Sequence, residues 1–224
     1  SIAVNETNVV LKWRENTTLQ IWYNDSANVP IPGATILVDG DITHPAVYDP
    51  GSGAYYYRLN STQYSGVGDY LNLNITAQRT YYENQTLYFN LTINQANSSI
   101  DNASIKLFPE LNNVQSEDNF EFWLIWMSEY NDFLNASDGV LINGTLNNHP
   151  DLYLYGTDAS TGNHSFMFYY SGTAILTYNL TFLIENYAKL EFLVRINVYN
   201  RTMMFDDDLS NPMSGQTIDF LQYG

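Results

Sequence analysis

Fourteen asparagines in this chain head an Asn-x-Ser/Thr triplet, the pattern that makes a side-chain amide an acceptor for an N-linked sugar. They are Asn5, Asn16, Asn24, Asn60, Asn74, Asn84, Asn90, Asn97, Asn102, Asn135, Asn143, Asn163, Asn179 and Asn200. Random placement of the Asn, Ser and Thr of 224 residues yields only about 4 such triplets. The excess predicts a secreted chain carrying N-linked glycans. The plainer reading is an Asn- and Thr-rich surface whose triplets follow from composition.

Other residues able to do chemistry are sparse. The three histidines, His44, His149 and His164, stand without a Gly-x-Ser-x-Gly elbow or a His-Glu-x-x-His zinc pattern. No catalytic residue is assigned, and the chain is read as a non-enzyme. The absence of Cys excludes disulfides, thiolate catalysis and zinc-cysteine sites. Calcium takes several oxygen ligands, which makes Asp206, Asp207 and Asp208, the densest acidic run, a weak candidate for it. Neither that run nor Asp39 and Asp41 around Gly40 matches an Asp-x-Asp-x-Asp-Gly loop followed by Glu, and a solvated acidic turn is the plainer reading. No other cofactor is implied. Lys12, Lys106 and Lys189 have apolar neighbours and should point outward; a Lys-to-Asn or Lys-to-Asp isopeptide staple is conceivable in a fibre, but no spacing supports one. Tyr55-Tyr56-Tyr57, Tyr81-Tyr82 and Tyr169-Tyr170 offer flat faces to sugar rings. Strand alternation, however, sends at least one Tyr of each group into a core, where Tyr is a favoured β residue.

Charge narrows the partners. Lys plus Arg number 8 against 24 Asp plus Glu, a formal charge of −16, which repels phosphate backbones and anionic membranes and excludes nucleic acid. Charged residues make up 14% of the chain, against about 25% in ordinary domains, so Asn, Ser, Thr and Tyr must supply the polar surface. No apolar run reaches membrane-spanning length, and the chain is read as not membrane-inserted. Opening at Ser1 without Met or a charged leader, it reads as a mature cell-surface product whose export signal has been removed.

The elements that must position these residues are strands. Short runs of β-branched and aromatic residues, broken by Gly, Pro, Asn and Asp, predict strands at 8–13, 17–23, 34–38, 54–59, 69–77, 86–93, 103–107, 119–127, 139–142, 151–155, 164–170, 176–184, 190–198 and 215–221. A glycan can leave only from a solvent face, and strand side chains alternate faces. Leu71, Leu73, Ile75 and Ala77 oppose Asn72, Asn74 and Thr76; Leu87, Phe89, Leu91 and Ile93 oppose Asn90; Leu180, Phe182 and Ile184 oppose Asn179. Phe120 to Met127 is apolar on both parities, which predicts a strand covered on both faces or one short buried helix.

Self-comparison divides the chain. Ile36-Leu37-Val38-Asp39-Gly40 recurs as Val140-Leu141-Ile142-Asn143-Gly144, and Leu19, Ile21 and Tyr23 recur as Phe122, Leu124 and Trp126. Tyr82, Leu87, Phe89, Leu91 and Ile93 recur as Tyr187, Phe192, Val194, Ile196 and Val198. Two homologous sandwich domains follow, 1–95 and 96–200, joined near the polar stretch Asn94 to Asn102. A third echo matches Tyr23-Asn24-Asp25 through Pro30, Gly33, Thr35 and Ile36 to Phe205-Asp206-Asp207 through Pro212, Gly215, Thr217 and Ile218. Residues 201–224 therefore read as the early strand pair of a third repeat. A lone strand pair has open edges and needs a partner. It either pairs within its own chain or adds to a sheet of a neighbouring copy. Residues 1–10, with Ile2, Val4, Val9 and Val10, are a second candidate donor strand.

The string from Trp13-Arg14-Glu15-Asn16 to Tyr23-Asn24-Asp25, then Pro30-Ile31-Pro32-Gly33-Ala34-Thr35-Ile36 and Gly53-Ala54-Tyr55, resembles the immunoglobulin-like repeats of archaeal cell-surface proteins. Those repeats occur in S-layer, adhesin and extracellular filament proteins. The resemblance implies an all-β chain of two tandem immunoglobulin-like β-sandwich domains plus a C-terminal strand pair, at the cell surface and without catalytic residues. The unfinished third repeat, the density of acceptors and the lack of any chemical site then point to a structural subunit of an archaeal extracellular filament or surface layer, partnered by copies of itself, with donor-strand addition as one of the two pairings open to residues 201–224. The alternative is an adhesin domain recognising a glycan or protein, which would need a concave aromatic patch free of acceptors. The second copy departs from the pattern by inserting residues around Tyr130-Asn131-Asp132 and losing the Pro-Gly pair.

Overall fold

A computed structural model of the chain describes residues 1–135 and 139–200. The third echo at 201–224, with the predicted strand 215–221 and the Asp206, Asp207 and Asp208 run, lies outside the described residues.

The strands are β1 (Ile2–Val4), β2 (Asn8–Lys12), β3 (Asn16–Tyr23), β4 (Thr35–Val38), β5 (Val47–Asp49), β6 (Ala54–Asn60), β7 (Gly68–Gln78), β8 (Gln85–Asn94), β9 (Ser98–Ala103), β10 (Asn112–Gln115), β11 (Phe120–Ser128), β12 (Val140–Ile142), β13 (Thr145–Leu146), β14 (Leu152–Asp158), β15 (Asn163–Phe168), β16 (Ala174–Phe182) and β17 (Leu190–Tyr199). The one helical turn among the described residues is a 3-10 turn at Ser61–Gln63. Two compact units result. The first comprises Ser1–Ser98 with Ser128–Tyr130 and Ile184–Ala188; the second holds the remaining described residues.

Each unit contains two sheets. In the first they run β1-β3-β6-β5 and β2-β8-β7-β4; in the second, β14-β15-β11-β9 and β10-β17-β16-β12-β13. Relabelled as A to G, each unit has an A-B-E-D sheet and a second sheet in which a split-off part of A runs parallel to G, beside F and C. Both are immunoglobulin-like β-sandwiches. The cores follow from period-two alternation. Leu19, Ile21, Ile36, Val38, Leu59, Ile75 and Leu91 are buried in the first unit, and Phe122, Leu124, Trp126, Phe166, Phe168, Leu180 and Ile196 in the second.

Local features repeat the sequence echo. Asp39-Gly40 and Asn143-Gly144 both adopt positive φ, at 50° and 73° and at 48° and 83°. The second pair closes the β12–β13 hairpin, in the conformation a two-residue turn with right-handed strand twist requires. Tyr70, at the start of β7, donates its hydroxyl to the Gly66 carbonyl at 2.8 Å and lies 4.8 Å from the Tyr64 ring. This is the corner bond that ties the E–F connection in such sandwiches. The second unit has Leu176 there, opposite Ile196 as Tyr70 is opposite Leu91, and so lacks that bond.

Four sequence expectations need revision. The predicted strand 103–107 is instead a connection: β9 ends at Ala103 and β10 starts at Asn112. Side-chain hydrogen bonds join scattered backbone bonds, Ser104 N to Trp123 O at 3.0 Å and Phe108 N to Leu193 O at 3.1 Å, in place of a regular ladder there. Ser104 Oγ accepts from Trp123 N at 2.8 Å, while Asn112 accepts from Lys106 N at 2.8 Å and donates to the carbonyls of Lys106 and Arg195 at 2.8 and 3.2 Å. Secondly, Phe120–Ser128 is a strand but is fully covered on one face only; Trp123, Ile125 and Met127 are half-buried. Thirdly, a β-bulge between Tyr70 and Leu73 turns Leu71 outward, 67% exposed, because an extra residue reverses the alternation. Lastly, residues 1–10 complete their own chain's sheets: Ile2–Val4 pair with Tyr23–Ile21 and Asn8–Lys12 with Asn90–Asn94, with Val9 buried.

Candidate functional site

None of the fourteen acceptor asparagines is buried. Seven lie on strands: Asn16 (β3), Asn60 (β6), Asn74 (β7), Asn90 (β8), Asn102 (β9), Asn163 (β15) and Asn179 (β16). The others, Asn5, Asn24, Asn84, Asn97, Asn135, Asn143 and Asn200, lie outside named strands. Ladder register brings several together across long stretches of sequence. Asn16 is directly opposite Asn60, Asn74 opposite Tyr88, Asn163 opposite Ile125 and Asn179 opposite Leu193. None of these neighbours could be read from the triplets themselves.

The carboxamide oxygens of several acceptors are already employed. Asn16 Oδ1 accepts from Arg58 Nε at 3.2 Å, and Asn60 Oδ1 from Thr62 N and the Thr62 hydroxyl at 3.1 and 3.0 Å. Asn90 Oδ1 accepts from Asn72 N at 3.0 Å while its Nδ2 donates to Asn8 Oδ1 at 3.1 Å. Asn143 Oδ1 accepts from Asn179 N at 2.8 Å. An N-linked sugar attaches at Nδ2 and leaves Oδ1 and one N–H in place, so these bonds and a glycan are chemically compatible.

Shallow grooves open on the first unit, and three of them have an acceptor in their lining. One of about 690 Å³ is lined by His44, Val47, Tyr56, Arg58 and Asn60. Another, about 480 Å³, includes Arg79, Tyr81, Tyr82 and Asn84, and the third, about 310 Å³, includes Tyr23, Asn24 and Tyr82. The tyrosine groups divide unevenly. Tyr55 and Tyr57 enter the core, Tyr55 donating to the Ile31 carbonyl at 2.7 Å. Tyr81 and Tyr82, by contrast, are both exposed in the β7–β8 turn, so no member of that pair reaches the core as strand alternation predicted.

The acidic turns satisfy themselves. Asp41 Oδ1 accepts from the Thr43 hydroxyl at 2.6 Å and from Thr43 N at 2.9 Å, and these bonds, with those from His44, hold its carboxyl well below the usual range. Asp158 accepts from Ser160 and Thr161 in the same way and is likewise lowered. Among the described residues no three His, Asp or Glu side chains converge as a metal site. The lysines face carboxylates: Lys12 and Glu129 at 2.8 Å within the first unit, Lys106 and Glu110 at 3.3 Å, Lys189 and Glu191 at 2.8 Å. The Glu129 hydrogen bond raises the Lys12 pKa, holding the amine in the protonated form, which is not a nucleophile for isopeptide formation.

The histidines occupy three separate settings. His44 lies in the Asp41 turn and His149 3.8 Å from Asp151. His164 is fully buried in the second core, donating Nδ1–H to the Gly162 carbonyl at 3.0 Å and packing 5.0 Å from the Phe182 ring. Burial pushes its pKa down. The unfolded chain therefore takes up a proton, near the ordinary His value of about 6.5, that the folded unit resists. The second unit should keep its full stability above that pH and lose stability as the pH falls below it. Denaturant melts at pH 7.5 and 5.5 check this; the loss should shrink in His164→Phe, and an equal loss in that variant would refute the assignment.

No family model matches the chain, and no curated protein matches it. Among solved structures, bacterial invasin, an integrin-binding protein, aligns at 16% identity over 93% of this chain and 40% of its own, with a TM-score of 0.46. The Escherichia coli adhesin FdeC aligns at 15% over 89% and 63%, TM-score 0.34. A titin Z1Z2 tandem aligns at 12% over 89% and 100%, TM-score 0.35. Likenesses this distant carry no inference about activity or partners, and the fold assignment rests on the strand orders above.

Proposed function

We propose that this chain is a non-catalytic, N-glycosylated structural subunit of an extracellular polymer, a filament or surface layer of the archaeal type its sequence resembles. The observation that carries the reading is where the acceptors fall. Of the seven on strands, six are on interior strands, namely β3, β6, β7, β8, β15 and β16. Of the eight sheet edges formed by the described residues, only β9, with Asn102, bears one on its strand. Edge strands present unpaired backbone N–H and C=O groups and are where a strand from another chain adds. Sugar on the faces and bare edges suit a protein that is shielded from proteases yet joins copies of itself edge to edge. The adhesin alternative asks for an aromatic concavity free of acceptors, and the three grooves of the first unit each have an acceptor in their lining.

Residues 201–224 are the donor segment in this reading. Deleting them should abolish polymers in negative-stain images while circular dichroism and melting of the remaining chain stay unchanged. Polymers of normal length from that truncation would overturn the strand-addition scheme. Deleting residues 1–10 is not an equivalent test, since it removes β1 and most of β2 from the first sandwich.

A further inference from the structure

We propose that the glycan at Asn74 packs its first sugar ring on Tyr88, making the side chain of β8 a built-in carbohydrate platform on the outer face of the first sandwich. The proposal rests on the glycosylation reading above and adds to it a specific contact. Asn74 and Tyr88 are a directly opposed pair on β7 and β8, and such pairs hold their Cβ atoms about 5 Å apart. Inward-facing Ile75 and Phe89 are buried, so the two residues between which the sugar would sit share the solvent face. Tyr88 is 58% exposed. On its other side β2 begins opposite Asn90, two residues farther along, so among the described residues Asn74 is the one ladder partner Tyr88 has.

Among the described residues the Tyr88 ring has no aromatic partner and its hydroxyl no hydrogen bond, and the Asn74 carboxamide has none either. Asn90, two residues along β8 from Tyr88, differs: both its amide atoms are held by Asn72 and Asn8. A sugar leaving Asn74 Nδ2 emerges beside an aromatic side chain that is more than half exposed, and a pyranose ring presents C–H groups that suit the negative face of such a ring. The second sandwich supplies an internal contrast. Its matching acceptor, Asn179, opposes Leu193, which offers apolar area but no ring.

The test uses the full chain purified from a glycosylating host as wild type, Tyr88→Ala, Tyr88→Phe, Asn74→Gln and the double variants, with glycopeptide mass spectrometry to read occupancy. Asn74 should be found occupied. Tyr88→Ala should then lower the melting temperature of the glycosylated first unit by about 3–6 °C more than it lowers that of the Asn74→Gln form. Tyr88→Phe, which keeps the ring, should retain that coupling. Occupied Asn74 with equal Tyr88→Ala losses in both backgrounds overturns the stacking and leaves glycosylation standing, as does a Phe variant that behaves like Ala. Asn74 found bare overturns the platform and, at this position, the glycosylation reading with it.

Discussion

Trp126→Ala should cost the second unit about 3–5 kcal/mol, the largest loss expected from any single substitution discussed. Trp126 is fully buried on β11, with Phe182 at 5.2 Å and His164 at 5.9 Å in edge-on contact. Truncation removes that apolar area from the core and leaves a cavity that these rings, held by their own strands, close only in part. Phenylalanine at the position separates two contributions. The indole Nε1 is buried without a hydrogen-bond partner among the described residues, and a buried unpaired donor costs about 1–3 kcal/mol. Trp126→Phe removes the orphan along with some volume and should lose much less than alanine. Urea melts of the three proteins check this. A loss under about 1.5 kcal/mol for alanine would mean that the second core collapses around the gap and that Trp126 does not organise it.

Asn112→Ala should cost the same unit about 2–3 kcal/mol, a large effect for a residue with no apolar side chain. The carboxamide takes one bond from Lys106 N and gives two, to Lys106 O and Arg195 O. In doing so it stitches the connection between β9 and β10 to β17. Alanine leaves those backbone groups without their partner in a setting where Asn112 itself is only 9% exposed. Limited proteolysis supplies a second readout, with cleavage expected within residues 104–111 in the variant and not in wild type. Unchanged stability and an uncut connection would show that the backbone finds other partners.

Asn112 also marks the limit of what patterns disclose. Alternation at Ile105 and Leu107 reads as a strand, and Ile105 is indeed buried; but burial of alternate residues does not require a ladder when a side chain meets the backbone's hydrogen-bonding needs instead. The Leu71 reversal has the same character. Leu71, Leu73, Ile75 and Ala77 are evenly spaced, yet one bulge after Tyr70 shifts the register and exposes the first of them. Phe120 to Met127 erred toward burial because apolar residues on both parities need only half-cover on the outer face of a sandwich.

Local composition alone carried the all-β class, because period-two alternation is a property of neighbours in sequence. It also carried the duplication, because the repeat offset is preserved, and the positions of the fourteen acceptors, because each triplet is contiguous. Tertiary structure decided everything that depends on residues far apart. It made residues 1–10 part of their own sandwich, set six of the seven strand-borne acceptors on interior strands, buried His164 and left His44 exposed. It also placed Tyr88 against Asn74, with Leu193 against Asn179 in the second copy. Those pairings are fixed by register, which turns, bulges and the packing of two sheets settle together, and no triplet or short run contains that information.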